Sequence, residues 1–147
     1  MELTGEHTFA APRERVWSFL LDPDVLRQCL PGCERLNETG PDEYEATMKI
    51  GVGMVRGTFT GRVKISDKQE PESYRMLVEG SGTQGQVSGE GELRLAEENG
   101  QTRVSYSGTA NVRGSLARVG ARMMQPAARM VVGQFFKCLE SKATASE

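Results

Sequence analysis

Few residues in this chain are suited to bond chemistry. His7 is the single histidine, and the cysteines are Cys29, Cys33 and Cys138. Cys29 and Cys33 stand close enough to be read as metal ligands or as a redox pair. A structural zinc wants four donors, and only His7 and the distant Cys138 remain to complete a set. The interval of three residues between Cys29 and Cys33 also differs from the usual redox spacing. The plainer reading is structural thiols at a helix end, with no metal. His7 lies in an alternating segment with no nucleophile motif around it, which suits a structural role better than general-base catalysis. Glu43 with Glu45, and Glu90 with Glu92, fall in the polar phase of their segments and read as solvated faces rather than acid/base pairs. Gly80-Ser81-Gly82-Thr83-Gln84-Gly85 spells a dinucleotide-type glycine pattern. Binding pyrophosphate there needs a helix N-terminus, and Gln86 to Leu95 reads as a strand, so the segment is a hairpin. No constellation supports hydrolysis, phosphoryl transfer or hydride transfer, and no cofactor is implied. The expectation is a non-enzymatic protein.

The elements that position these residues follow from hydrophobic period. Leu3, Gly5, His7 and Phe9 alternate with polar residues, a first strand. Pro12 opens a helix through Leu21, and Asp22-Pro23 opens a second, short helix that ends before Pro31-Gly32. From Cys33 to Arg113 the period is two, broken at Thr39-Gly40-Pro41-Asp42, Gly51-Val52-Gly53, Glu70-Pro71-Glu72, Gln84-Gly85 and Glu98-Asn99-Gly100. Those turns join six strands of an antiparallel meander with one covered and one wet face. After Gly114 the period becomes helical for about 25 residues, with Leu116, Val119, Met123, Ala127, Met130, Val131, Phe135 and Cys138 on one side. Pro126 falls inside that helix and predicts a kink. The fold class is α+β: a curved seven-stranded antiparallel sheet wrapped around a long C-terminal helix, with two short helices after strand one. Residues 1–141 form one domain and 142–147 a frayed tail.

Composition sets the bounds. A chain of 147 residues with 37% hydrophobic and 26% charged residues is one soluble domain. No apolar run approaches the roughly 20 residues of a membrane span. The N-terminus has neither a basic start nor an apolar core, so the expectation is a cytoplasmic protein. The net charge is -2, which argues against nucleic acid as a partner. Charge is nonetheless uneven. Between Gln101 and Leu139 there is no Asp or Glu, while Arg103, Arg113, Arg118, Arg122, Arg129 and Lys137 all fall there. Gly57, Gly61, Gly89, Gly91 and Gly108 occupy apolar-phase positions where Val or Phe would fill a core. They mean either sheet curvature alone or curvature with space for a ligand.

Cys29-Leu30-Pro31-Gly32-Cys33, followed by Asp42-Glu43-Tyr44-Glu45-Ala46-Thr47, resembles the carbon monoxide dehydrogenase CoxG (G-subunit) family. So do Val52-Gly53-Met54-Val55-Arg56-Gly57-Thr58-Phe59-Thr60-Gly61, Ser66-Asp67, Ala127-Ala128-Arg129 and Phe135-Phe136. The likeness runs from Phe9 to Leu139. It implies the helix-grip fold of the START-like (SRPBCC, polyketide-cyclase-like) superfamily. It also implies an apolar cavity between sheet and helix for lipids, sterols, polyketides or quinones. The family is associated with assembly or membrane attachment of molybdenum hydroxylases. Longer members carry a membrane-seeking C-terminal extension; this chain ends at Glu147, and the expectation is that it does not anchor itself.

The expected ligand is therefore an apolar small molecule such as a lipid or quinone. The expected cavity wall is Met48, Ile50, Phe59, Val63, Met76, Val78 and Tyr106 from the sheet with Met123, Ala127 and Met130 from the helix. Arg113, Arg118, Arg122 and Arg129 form the expected docking surface, for a molybdenum-hydroxylase-type partner or for weak contact with an anionic membrane at its inner face. Two alternatives stand beside this carrier. One is a polyketide-cyclase-like enzyme of the same fold, for which Tyr74, Tyr106 and His7 are the candidate polar groups. The other is a structural adaptor with a filled core.

Overall fold

The computed structural model describes residues 1–144. Its elements are β1 (Glu2–Phe9), α1 (Arg13–Leu20), α2 (Pro23–Cys29), β2 (Cys33–Gly40), β3 (Glu43–Val52), β4 (Val55–Gln69), β5 (Ser73–Gly82), β6 (Gly85–Glu98), β7 (Gln101–Arg113) and α3 (Ala121–Ala143). All seven strands join one antiparallel sheet in the order β1-β7-β6-β5-β4-β3-β2. Only the β1–β7 pair is remote in sequence. The two short helices connect β1 to β2, the two edge strands of the sheet, and α3 lies against the inner face. This is the sheet-around-helix architecture expected from the period-two run and its helical sequel.

Local chemistry explains the boundaries. The Asp22 side chain accepts from the Asp24 N–H at 2.9 Å and caps α2, with Pro23 in its first turn. Asn99 and Gly100 both have positive φ, 56° and 77°, the conformation a two-residue β6–β7 hairpin demands. On the outer face, Arg62 lies 3.8 Å from Glu45 and Lys64 3.9 Å from Glu43, while Glu92 meets Arg94 at 2.7 Å and Arg75 at 3.4 Å. Glu43, Glu45 and Glu92 are thus cross-strand partners of basic residues.

The inner face is not uniformly covered. Phe9, Val16, Val104 and Leu139 are completely buried, and Trp17, Leu93, Leu95 and Phe136 nearly so. The Trp17 ring meets Tyr74 edge-on at 5.5 Å. Burying one such side chain stabilises by about 1.5–3 kcal/mol, so this end of the sheet carries most of the packing. Toward the other end, Val52, Val55, Phe59, Val78, Val87 and Val112 are only partly buried.

Three expectations are corrected here. The C-terminal helix does not begin after Gly114: residues Gly114–Val119 form a 3-10 segment, Gly120 breaks it with φ 82°, and α3 starts at Ala121. The tail does not fray at Lys142, since α3 runs through a buried Ala143 and the Lys142 ammonium donates to the Gln28 side chain at 2.5 Å; positions 145–147 lie outside the described residues. The cysteines are not all thiols. Cys29 is bonded to Cys138, with Cα atoms 5.3 Å apart, and only Cys33 is free.

Candidate functional site

A cavity of about 420 Å³ lies between the inner face of the sheet and the second half of α3. Its floor is β6 and β7, where Gly89, Gly91 and Gly108 expose backbone instead of side chains. Gly91 and Gly108 are direct cross-strand partners. A Cβ on Gly108 would sit 2.8 Å from the Glu90 carbonyl oxygen, so that crossing admits only glycine without a shift. The far wall is Ala46, Val63, Ile65, Met76 and Val78 of β3, β4 and β5. The roof is Val131, Val132, Phe135 and Phe136 of α3, and Leu21, Leu26 and Leu30 of the α2 region close one side. The glycines therefore make room as well as curvature.

Four residues expected in the wall, Val63, Met76, Val78 and Tyr106, do line it. Met48, Ile50 and Phe59 do not, because β3 and β4 run past the cavity toward the open end of the sheet. Met123, Ala127 and Met130 do not line it either. Met123 and Met130 are 51% and 52% exposed. The inward row of α3 passes instead through Val132, Phe136, Leu139 and Ala143, and the cavity meets the half of the helix beyond Met130. The α2 leucines, Tyr44 and the Val131–Phe136 segment are additions to the expected set.

The polar groups at the cavity are few. Tyr44 Oη donates to the Leu21 carbonyl at 3.2 Å; burial, with Glu38, Asp42 and Asp22 nearby, pushes its phenol up. Tyr74 is 4% exposed, and burial pushes its phenol well above the ordinary range. Tyr106 stacks on Phe136 at 5.5 Å, and its ring crosses β1 at Gly5, where a Cβ would collide with the hydroxyl. His7 Nε2 pairs with Glu140 Oε1 at 2.8 Å, and its ring stacks on Phe136 at 5.7 Å. His7 and Tyr106 thus share Phe136 as a stacking partner, with His7 also held by an acid of α3, while Tyr74 packs apart from them on Trp17. Cys33 keeps a raised pKa through burial, and its Sγ lies 3.5 Å from the Arg35 carbonyl. Among the described residues no three His, Cys, Asp or Glu could hold a metal ion.

A second depression, about 560 Å³, crosses the outer face between Glu45, Arg62, Glu79, Ser88, Asn111 and Arg113. Its walls are charged and hydrogen-bonding, so it offers nothing to an apolar guest. Arg113, Arg118, Arg122 and Arg129 are exposed and have no acidic partner within ion-pair distance among the described residues. Arg122 and Arg129 each precede an exposed methionine, Met123 and Met130. No helix among the described residues is long and apolar enough to cross a membrane.

The sequence matches the profile of CoxG, the carbon monoxide dehydrogenase G subunit, over residues 5–144. A crystal structure of a conserved protein from Geobacillus kaustophilus is similar at 32% identity and a TM-score of 0.94, covering 97% of this chain and 95% of that one. A START superfamily protein from Mycobacterium smegmatis has a TM-score of 0.75 at 13% identity, covering 97% and 96%. At that identity the likeness concerns the fold alone. No curated protein matches the sequence.

Proposed function

Because this chain belongs to the carbon monoxide dehydrogenase CoxG family, we propose that it is a non-enzymatic accessory protein. It holds an apolar, lipid- or quinone-like small molecule between sheet and α3, and serves the assembly or membrane recruitment of a carbon monoxide dehydrogenase-type molybdenum hydroxylase. The observation that carries this reading is the cavity itself. About 420 Å³ walled by Leu, Val, Met, Phe and bare glycine backbone is within the size range of small-molecule sites and is apolar enough to prefer such a guest to water. A non-catalytic role is supported by His7 standing outside the cavity lining and by Tyr74 packing on Trp17, apart from Tyr106.

The protein works in the cytoplasm and meets the inner face of the membrane, or an acidic surface of the enzyme, through Arg118, Arg122 and Arg129. Support comes from their exposure without acidic partners among the described residues and from the adjoining Met123 and Met130. The test is native mass spectrometry of protein purified from its own host. A retained apolar ligand is the expected result. An empty protein that also fails to bind N-phenyl-1-naphthylamine would rule the carrier role out. Co-purification with a molybdenum hydroxylase, lost at high salt, tests the partner.

A further inference from the structure

The cavity's charge and hydrogen bonding narrow the guest further. No Lys, Arg or His side chain lines it. Glu90 and Glu92 border it, but strand alternation sends their side chains to the outer face, where Glu92 meets Arg75 and Arg94. The Met1 ammonium at the border donates to the Ala110 carbonyl at 2.9 Å. A carboxylate or phosphate head would therefore enter a low-dielectric site whose one cation, the Met1 ammonium, stands at the border and is already engaged by Ala110. One polar group in the wall is different. Tyr74 is 4% exposed, lines the cavity, and its hydroxyl has no hydrogen-bond partner among the described residues. The hydroxyl is not an enclosed atom left without a partner, so its free side opens to the cavity it lines. Its neighbour Tyr44 already donates to Leu21, and burial keeps the Tyr74 proton in place, so the hydroxyl is a standing donor.

We infer that the cavity takes an uncharged apolar molecule carrying one hydrogen-bond-accepting oxygen, such as a ketone, and that Tyr74 Oη donates to that oxygen. An anionic head carried into the cavity is disfavoured by the same geometry. This inference rests on the cavity being a binding site, and it adds the ligand's class and its specificity residue.

Three matched probes test it on the full chain by isothermal titration calorimetry: hexylbenzene, hexanophenone and 6-phenylhexanoate. The wild type should bind the ketone about fivefold more tightly than the hydrocarbon, the effect of one net hydrogen bond. Tyr74→Phe keeps the ring on Trp17; it should bring the affinities of ketone and hydrocarbon together and so erase that preference. The carboxylate should bind at least about tenfold more weakly than the ketone. In the wild-type complex the ketone's carbonyl stretch should move to lower frequency, a readout that needs no variant. A ketone preference that is absent in the wild type, or that survives in Tyr74→Phe, overturns the role of Tyr74 while the carrier reading stands. A carboxylate that binds as tightly as the ketone overturns the neutral class. Failure of both neutral probes on the wild type defeats the carrier reading and this inference with it.

Discussion

Cys29 and Cys138 are 109 residues apart in sequence and covalently joined, and their bond ties α2 to α3. Both helices wall the cavity, through Leu26 and Leu30 on one and Val132 and Phe135 on the other. The bond therefore holds two sides of the same chamber together. Closing so long a loop removes chain entropy from the unfolded state, up to about 4–5 kcal/mol on the loop-closure account. Reduction, or Cys29→Ala with Cys138→Ala, should lower the urea midpoint by an amount equivalent to about 2–5 kcal/mol, and Cys33→Ser should leave it in place. Thiol titration of the unfolded, unreduced protein should find one thiol, rising to three after reduction. Three thiols before reduction would show the pair open.

Position along and around α3 decides which large residue blocks uptake. Val132→Trp fills the roof, so it should abolish binding of N-phenyl-1-naphthylamine at a stability cost of about 1–3 kcal/mol from overpacking. Met130→Trp stands outside the cavity and should alter neither. Equal loss of dye binding in both variants would place the chamber elsewhere.

Alkali should expose the buried phenols. Burial raises the Tyr74 pKa in the fold above its unfolded value, so its stabilising contribution is complete below about pH 10 and is lost as pH climbs through the folded value. Each such proton gives a slope of about 1.4 kcal/mol per pH unit. Tyr44 is raised as well and adds to the slope. Urea unfolding from pH 9 to 11.5 should show stability falling less steeply in Tyr74→Phe than in the wild type. Parallel curves would mean that Tyr74 is not protected from solvent.

The arginines of the α3 end should act through charge. Changing Arg118, Arg122 and Arg129 to Gln should remove roughly 1 kcal/mol of attraction per residue toward anionic vesicles. Raising salt should have the same direction, with a Debye length near 8 Å at physiological ionic strength. Co-sedimentation with phosphatidylglycerol vesicles, compared with phosphatidylcholine alone, measures both. Indifference to salt and to all three substitutions would make them an ordinary wet helix face.

The sheet was legible because period two survives in every strand, and the turns at Asn99-Gly100 and Pro41-Asp42 carry their own local chemistry. Helix α3 was legible as a helix but not in rotation. Met123 and Met130 are as apolar as residues that do face inward, and side-chain type alone does not say which flank of a helix faces a sheet. The α2 leucines went unassigned to the cavity because a seven-residue helix is too short for period to show its inward side. The Cys29–Cys138 bond was obscured by Cys33, the nearer candidate. Its available signal was burial: Cys29 follows Val25 by one turn on the covered side of α2, and Cys138 follows Phe135 in the apolar row of α3.

The glycine floor has a mechanical consequence. Gly89, Gly91 and Gly108 present peptide groups locked in a sheet ladder, and peptide groups have no rotamers to swing aside. At those three positions nothing can yield to an entering guest. Adaptation to the guest's shape therefore falls to the opposite side, to the torsions of Phe135, Val132, Leu26 and Leu30 and to displacement of α3 itself. Methyl relaxation of Val132, Leu26 and Leu30, and ring relaxation of Phe135, should report guest exchange, while the β6–β7 amides stay rigid.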